Sequence, residues 1–164
     1  MYLEKRITIL ATAADNGVTE DAGIASWGNP EALALLERLT LGKSVIMGHK
    51  TLQSLGTLPG RQCIVLARHG YEDVEGAEIG GGRFLMARTI EGAIGACDSP
   101  EAFVIGGQKA YNDSLKYADE IWLVRVHSSP ASCRTFRFDA GFWNLESARE
   151  FVDFSILHFS RVLP

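Results

Sequence analysis

Short apolar runs rich in β-branched residues alternate along the chain with segments of helical pattern, and this alternation is the strongest constraint on its fold. Strands are predicted at 6–14, 44–48, 63–67, 102–107 and 120–127, and helices at 30–41, 49–55, 90–97 and 108–118. Helices that return the chain to the same edge of a sheet produce parallel strands. The pattern therefore predicts an α/β fold of three layers around a mostly parallel central sheet.

The last part of the chain departs from this alternation. No helical segment follows residue 127, and residues 149–163 alternate as a long terminal strand or hairpin partner, so we expect an antiparallel C-terminal hairpin. Between residues 69 and 83 the chain is glycine-rich, with brief strands expected at 77–79 and 83–87 and a surface insertion at 80–82. A chain of 164 residues without a linker or internal repeat predicts one domain, 1–164.

Composition excludes several classes of function. The net charge is −4, so the composition shows no excess of basic residues of the kind that binds nucleic acid or an anionic membrane. No apolar run reaches the roughly 18 residues that span a bilayer, and the first residues lack the layout of a signal peptide. We therefore expect a cytoplasmic monomer with a small-molecule partner.

Cysteine and histidine usage argues against disulfides and metal sites. The three cysteines (Cys63, Cys97 and Cys133) are widely spaced, and the four histidines show no ligand spacing. Free thiols in a reducing compartment, and no metal, are the expectation.

Three predicted strands end in residues suited to an anion. Gly106 and Gly107 connect a strand to a helix, although such a turn alone is more often a plain connection. Gly48 is followed by His49-Lys50-Thr51 at another helix start, and Arg68 follows a third strand. Because ligands of α/β sheets bind beyond the carboxyl ends of the strands, the coincidence favours an extended anionic ligand.

Two further charged residues leave their roles open. Arg61, after the turn Pro59-Gly60, suits either a carboxylate ligand or a structural tie to the backbone, with equal weight. Glu31 follows a plausible N-cap, Asn29, and Pro30 at the first helical position. Its carboxylate either favours the helix dipole or carries chemistry.

Taken in order, these segments resemble the dihydrofolate reductase family. The resemblance lies in "ITILATAADNGV" (7–18), Trp27, "LGKSVIMGHKTLQSLG" (41–56), "LPGR" (58–61), "FVIGGQKAY" (103–111) and "ADEIWLV" (118–124). The resemblance is nearly collinear from Ile7 to Val124. The motifs "VIMG-x-x-T", "LPGR" and "VIGG" are specific in combination, although each of them alone is not. The resemblance implies NADPH as hydride donor and dihydrofolate as substrate.

The resemblance also implies which residues hold each ligand. For NADPH, it implies a first phosphate loop at Gly48, His49, Lys50 and Thr51, and an edge that holds the 2′-phosphate at Leu66, Ala67 and Arg68. It implies a pyrophosphate turn at Gly106, Gly107, Gln108, Lys109 and Ala110. Two contacts near the nicotinamide are implied at Thr12 and Ile24. For the substrate, it implies that Arg61 binds the α-carboxylate of the glutamate tail. The implied walls of the pteridine and benzoyl groups are Leu10, Ala11, Ala32, Leu33, Leu36, Leu55, Leu58, Ile105 and Val124. Trp27 and Tyr111 would frame the reacting rings.

The chain departs from the family pattern at the proton-delivery site. The family has an acid five residues after the loop tryptophan, and a threonine bonded to it on a facing strand; those positions are Ala32 and Val124 here. The loss of both groups together makes physical sense, because a buried threonine hydroxyl that kept no partner would lower the stability of the fold by roughly 1–3 kcal/mol. Glu31 lies one residue early, which turns it by about 100° on a helix, so the dipole role is slightly preferred over a catalytic one. The loop 18–27 also differs, which puts its closure in question.

The sequence thus predicts NADPH-dependent reduction of 7,8-dihydrofolate with altered proton delivery and weak sensitivity to trimethoprim. Two alternatives remain at this stage. One is an NADPH-dependent reductase of another pteridine or an aminopyrimidine, and the other is a non-catalytic pteridine- or nucleotide-binding protein.

Overall fold

The structure of the chain is a computed structural model that describes residues 5–20, 23–24, 29–70 and 84–162. The described residues do not include Trp27, residues 21–22 and 25–26 of the loop before it, the strand expected at 77–79 or the glycines at 80–82.

Eight strands and four α-helices make up the described part of the chain. In order they are β1 (Arg6–Ala14), α1 (Pro30–Thr40), β2 (Ser44–Gly48), α2 (His49–Leu55), β3 (Gln62–Leu66), β4 (Phe84–Ala87), α3 (Ile90–Ala96), β5 (Glu101–Val104), α4 (Gln108–Ser114), β6 (Glu120–Val126), β7 (Trp143–Glu150) and β8 (Phe154–Arg161). Short 3₁₀ turns follow α4 at Leu115–Tyr117 and precede β7 at Ala140–Phe142.

The strands form one mixed sheet in the order β4-β3-β2-β5-β1-β6-β8-β7. The six strands from β4 to β6 pair in parallel, and β8 joins β6 and β7 antiparallel. This confirms the predicted α/β fold with a mostly parallel sheet and an antiparallel C-terminal hairpin. The carboxyl ends of the parallel strands consequently lie along one edge, where an α/β sheet binds its ligands.

The two faces of the sheet carry separate apolar clusters. The α1-side cluster joins β1, β2, β3, β5 and β6 to α1 and α2, and includes Leu10, Ile24, Ala32, Leu35, Leu36, Leu52, Ile105 and Val124. The α4-side cluster covers the other face with α3 and α4, and includes Ile9, Ala11, Ile90, Ala110, Tyr111 and Ile121. Successive residues of β1 alternate between the two clusters, because side chains of a strand point to opposite faces.

Helix α1 begins as its sequence predicts. The Asn29 side-chain oxygen accepts hydrogen bonds from the backbone N–H groups of Glu31 (2.9 Å) and Ala32 (3.1 Å), and Pro30 occupies the first helical position. Thr89 caps α3 in the same way, by accepting from the N–H of Gly92. Side-chain caps of this kind supply partners for N–H groups that have none within the helix.

The C-terminal region was predicted least accurately. Residues 149–163 are not one strand: they include the end of β7, a connection at 151–153 and β8. Strand β7 escaped detection because it is an edge strand whose residues are exposed after Trp143, so it shows no alternation of buried and exposed residues. The predicted helix 108–118 also ends early, at Ser114, and continues as a 3₁₀ turn.

The three cysteines are free thiols, as expected; Cys63 and Cys97 are buried and Cys133 is exposed. Burial raises the pKa of the Cys63 and Cys97 thiols. In the described ranges, no helix is long and apolar enough to cross a membrane. The same ranges contain no group of three His, Cys, Asp or Glu side chains arranged to hold a metal ion.

Candidate active site

A cavity of about 350 Å³ opens at the carboxyl edge of the parallel strands. Four strand ends or the segments that follow them contribute to its walls: Gly48, His49 and Lys50; Leu66, Arg68 and His69; Arg88, Thr89 and Ile90; Gly107, Gln108, Lys109, Ala110 and Asp113. We call this the cationic cavity. It brings together the three strand ends that the sequence singled out and adds a fourth, after β4.

The cationic cavity has the chemistry of an anion site. Lys50, Arg68, Arg88 and Lys109 line it, and the carboxylate of Asp113 is paired with the Lys109 ammonium at 2.8 Å. Helices α2 and α4 both begin at this edge, after Gly48 and Gly107, without a side-chain cap. The N-terminus of a helix carries a partial positive charge, which favours a phosphate at this edge.

Five of the predicted cofactor residues do not line the cationic cavity: Thr12, Ile24, Thr51, Ala67 and Gly106. Thr51 and Ala67 are buried beside this cavity, on α2 and after β3. Arg88, which sequence reasoning missed, does line it. Arg88 directly follows a predicted strand, as Arg68 does, and this position was the sequence signal that could have identified it.

Glycine allows close approach of three segments at the back of the cationic cavity. The N–H of Gly48 donates to the carbonyl of Gly106 at 2.8 Å, and the peptide between Gly106 and Gly107 is cis. A Cβ on Gly106 would lie 2.4 Å from the Cα of Gly23 and 2.9 Å from the hydroxyl oxygen of Thr51. Gly106 also has a φ of +137°, which side-chain-bearing residues rarely adopt. The loop after β1 therefore packs directly on this turn, and the N–H of Ile24 donates to the carbonyl of Ile105 at 2.9 Å.

Beside the glycine turn, the predicted substrate walls are apolar. Leu10, Ala32, Ile105 and Val124 are fully buried, and they belong to the α1-side cluster with Leu36. Leu55 and Leu58 are partly buried against the same cluster, whereas Leu33 is 37% exposed. Ala11 lies in the α4-side cluster, so its side chain is on the opposite face of β1 from Leu10.

The first turn of α1 separates its two candidate residues. Ala32 is fully buried, whereas Glu31 is exposed. Val124 is also fully buried and apolar. Among the described residues, the wall formed by Leu10, Ala32 and Val124 therefore carries no carboxylate.

Tyr111 reaches this region from α4 through the core. Its ring is fully buried, and its hydroxyl donates toward the carbonyls of Leu10 and Ile105, each at 3.1 Å. Burial strongly raises the pKa of the phenol, so the hydroxyl keeps its proton. Tyr111 thereby holds the carboxyl ends of β1 and β5 together beneath the glycine turn.

Arg61 is fixed by its surroundings. Its side chain is only 3% exposed; Nε donates to the hydroxyl of Thr40 (3.0 Å), Nη1 to the carbonyl of Pro59 (2.6 Å) and Nη2 to the carbonyl of Glu37 (2.9 Å). Nη2 also lies 3.0 Å from the carboxylate of Glu37, whose side chain is 70% exposed. These contacts tie the loop to α1, which is the structural role considered for this arginine, and its binding of a ligand carboxylate stays a prediction.

These features define an α/β protein with a cavity lined by cationic side chains at the carboxyl edge of its sheet, next to an apolar wall. The family model described as dihydrofolate reductase matches residues 6–155. The chain belongs to the dihydrofolate reductase family.

Relatives with this name come from distant organisms. The chain is 32% identical to dihydrofolate reductase of Bacillus subtilis over 127 residues, which cover 76% of this chain and 71% of that protein. It is 34% identical to dihydrofolate reductase of Neisseria meningitidis serogroup A, over 76% of this chain and 74% of the relative. Dihydrofolate reductase HdrB of Haloferax volcanii is 29% identical, over 97% and 85% of the two chains.

Proposed function

We propose that this protein reduces 7,8-dihydrofolate to tetrahydrofolate with NADPH as the hydride donor. The observation that carries the proposal is the cationic cavity, which adjoins an apolar wall across a turn, at Gly106, that has no room for a side chain. Family membership supports the same reaction.

The residues present suit NADPH chemically. Lys50, Arg68 and Arg88 supply charge for phosphate groups, and the N-termini of α2 and α4 supply N–H donors. The cofactor, when bound, supplies the hydride. The protein would hold the phosphates in the cationic cavity, exclude water with the buried wall around Leu10 and keep β1 and β5 in place through Tyr111.

Proton delivery is the altered step in this proposal. Ala32 and Val124 are buried where the family resemblance places an acid and its hydroxyl partner, and the Glu31 carboxylate is exposed. We therefore propose that water supplies the proton. General acid assistance contributes on the order of 10² to 10⁴ in rate, so turnover should be slow but measurable.

The same wall bears on inhibitors. Protonated diaminopyrimidines such as trimethoprim need a carboxylate partner, and a cation facing Ala32 and Val124 would lose its hydration without one. We propose weak inhibition by trimethoprim, measurable in the same assay, and a role in trimethoprim resistance.

A second substrate is favoured by one contact. The Glu37 carboxylate already binds Arg61, so the glutamate tail of dihydrofolate would have to compete with it for this arginine. A pteridine without a glutamate tail would bind without that competition. Such a pteridine is the second candidate substrate.

Oxidation of NADPH, followed by its absorbance, tests the proposal. Oxidation that requires dihydrofolate supports the first function, and faster oxidation with 7,8-dihydrobiopterin supports the second candidate. Tight NADPH binding without turnover on either substrate would contradict both and leave a non-catalytic binding protein.

A further inference from the structure

The hydroxyl of Thr12 is buried without a hydrogen-bond partner. Thr12 is fully buried on β1, and its Oγ1 has no partner among the described residues. Two other buried threonines are paired: the hydroxyl of Thr19 donates to the Thr12 carbonyl (2.7 Å), and that of Thr40 donates to the Leu36 carbonyl (2.6 Å). Buried hydroxyls are rarely left unpaired, because they lose their hydrogen bonds to water on folding.

Strand register places this hydroxyl on the predicted substrate wall. Side chains two apart on a strand share a face, so Thr12 faces the same side of the sheet as Leu10. Thr12 is directly opposite Val124 in the parallel β1–β6 pair. Leu10, Val124 and Ala32 belong to the α1-side cluster. An unpaired hydroxyl therefore stands beside an otherwise apolar wall.

The same position adjoins the glycine turn of the cationic cavity. In the β1–β5 pair, Ile9 is opposite Val104, the last residue of β5, so β1 continues to Thr12 beyond the end of β5. The carbonyls of Leu10 and Ile105 both accept from Tyr111, which holds the two strand ends together at this point. Thr12 therefore lies close to both the glycine turn and the apolar wall.

We propose that the Thr12 hydroxyl is a ligand-binding group that hydrogen-bonds the amide- or amidine-type edge of the heterocycle at this wall. A hydroxyl can donate and accept, so it matches an edge that carries both N–H and oxygen or ring-nitrogen atoms. Two ligands of the proposed reaction carry such an edge: the carboxamide of nicotinamide and the 2-amino-4-oxo edge of a pteridine. The inference rests on the proposed function and adds to it a specificity-determining side chain.

Thermal unfolding of the ligand-free protein tests the unpaired state of the hydroxyl. Thr12→Val removes the hydroxyl at nearly constant shape, and we expect the melting temperature to rise by about 2–4 °C. Thr19→Val removes a buried hydroxyl that is paired, and it should lower the melting temperature. A melting temperature of Thr12→Val that is unchanged or lower would overturn the inference.

Binding of separate ligands tests the contact and identifies its source. We expect Thr12→Val to weaken the binding of either NADPH alone or folate alone by about tenfold, and Thr12→Ser to retain most of the wild-type affinity. A loss confined to NADPH assigns the carboxamide, and a loss confined to folate assigns the pteridine edge. Adenosine 2′,5′-bisphosphate, which lacks nicotinamide, should bind both variants as it binds the wild type.

The outcomes separate this inference from the proposed function. If the wild type binds and turns over both ligands while Thr12→Val binds each with unchanged affinity, only the inference on Thr12 is overturned. A loss of affinity for adenosine 2′,5′-bisphosphate would also overturn it, because the cationic cavity would then be disturbed. If the wild type binds neither NADPH nor folate, the proposed function fails, and the inference fails with it.

Discussion

At the scale of single residues, the first turn of α1 decides how a proton can reach the apolar wall. Glu31 and Ala32 are adjacent, yet Ala32 is fully buried and Glu31 is exposed. One helical step turns a side chain by about 100°, which moves Glu31 away from the buried face. The N–H of Glu31 is held by Asn29, so the helix start is fixed in this register.

Glu31→Gln distinguishes a helix-dipole role from a catalytic one. Because the side chain is exposed, we expect the substitution to change turnover of dihydrofolate by less than about twofold. The cost should appear in helix stability, at about 0.3–1 kcal/mol. Steady-state rates across pH measure the first effect and urea unfolding the second. A tenfold loss of turnover would place the carboxylate in the reaction.

Glu37→Gln tests whether a carboxylate of the protein competes with the substrate for Arg61. The variant removes the charge that lies 3.0 Å from Nη2 of Arg61, and leaves the backbone carbonyl that binds the same nitrogen. Since the Glu37 carboxylate is largely exposed to solvent, its pair with Arg61 is weak, and we expect KM for dihydrofolate to fall by roughly two- to fivefold. The difference should shrink at high salt, where exposed charges are screened.

A substrate without the tail is the control for this variant. KM for 7,8-dihydrobiopterin, which has no carboxylate, should be unchanged in Glu37→Gln. Equal effects on both substrates would mean that Glu37 acts through the shape of α1 instead of its charge.

At the scale of elements, the cationic cavity depends on close packing between the loop after β1 and the turn after β5. Gly23 and Gly106 meet with no room for a Cβ on either residue. The atoms that a side chain would strike are mainly backbone atoms, which cannot rotate away. The shape of the site is therefore sensitive to glycine substitution at this contact.

Gly106→Ala should disrupt this contact. The added Cβ would come within 2.4 Å of the Gly23 Cα, and we expect NADPH to bind at least about tenfold more weakly, as measured by fluorescence titration. Gly42→Ala is the matched control: Gly42 has a φ of +79° with nothing within 4 Å of its Cβ position. The control should lose about 1–2 kcal/mol of stability and keep its affinity for NADPH. Equal losses of affinity in both variants would contradict the packing explanation.

At the scale of the whole molecule, Glu120 connects three strands of the sheet. It lies on β6, accepts a hydrogen bond from Arg6 of β1 (2.9 Å) and is 2.9 Å from the Nε2 of His158 on β8. The His158 ring stacks on Trp122, with ring centroids 4.1 Å apart. Burial alone would raise the pKa of Glu120, but the hydrogen bonds from Arg6 and His158 outweigh burial and hold it below its ordinary value of 4.5.

Glu120→Gln should therefore make stability less dependent on pH. A lowered folded-state pKa stabilises the fold above the ordinary carboxyl pKa, and this contribution is lost as pH falls through the lowered value. We expect the variant to lose about 1–3 kcal/mol at pH 7, with the difference from wild type shrinking below pH 4.5. Urea unfolding at a series of pH values measures it. A difference that stays constant down to pH 3 would contradict the role of the ionised carboxylate.

The sequence predicted local structure well wherever apolar periodicity and caps agree. Helices α1 and α2 and the cap at Asn29 follow directly from residue order, because their hydrogen bonds are made by neighbours in the chain. Strand β1 follows from its apolar, β-rich run, although its hydrogen bonds are made with β5 and β6, which are distant in sequence. Strand β7 was missed, since β8 is its only strand partner among the described residues and its exposed edge shows no alternation of buried and exposed residues. The cationic cavity was predicted from three strand ends, and its fourth contributor, Arg88, emerged only with the sheet order.

By itself, the sequence determined the α/β class, the glycine turn at the end of β5, the helix starts that face it and the absence of an acid at position 32. These are properties of adjacent residues, set by backbone freedom, capping and side-chain chemistry. Tertiary structure alone decided that Glu37 reaches Arg61, that Gly23 lies against Gly106 and that the Thr12 hydroxyl has no partner among the described residues. Each of these contacts joins segments that are distant in sequence. Their distances are set by the close packing of the folded chain, which exists only once the whole sheet has formed.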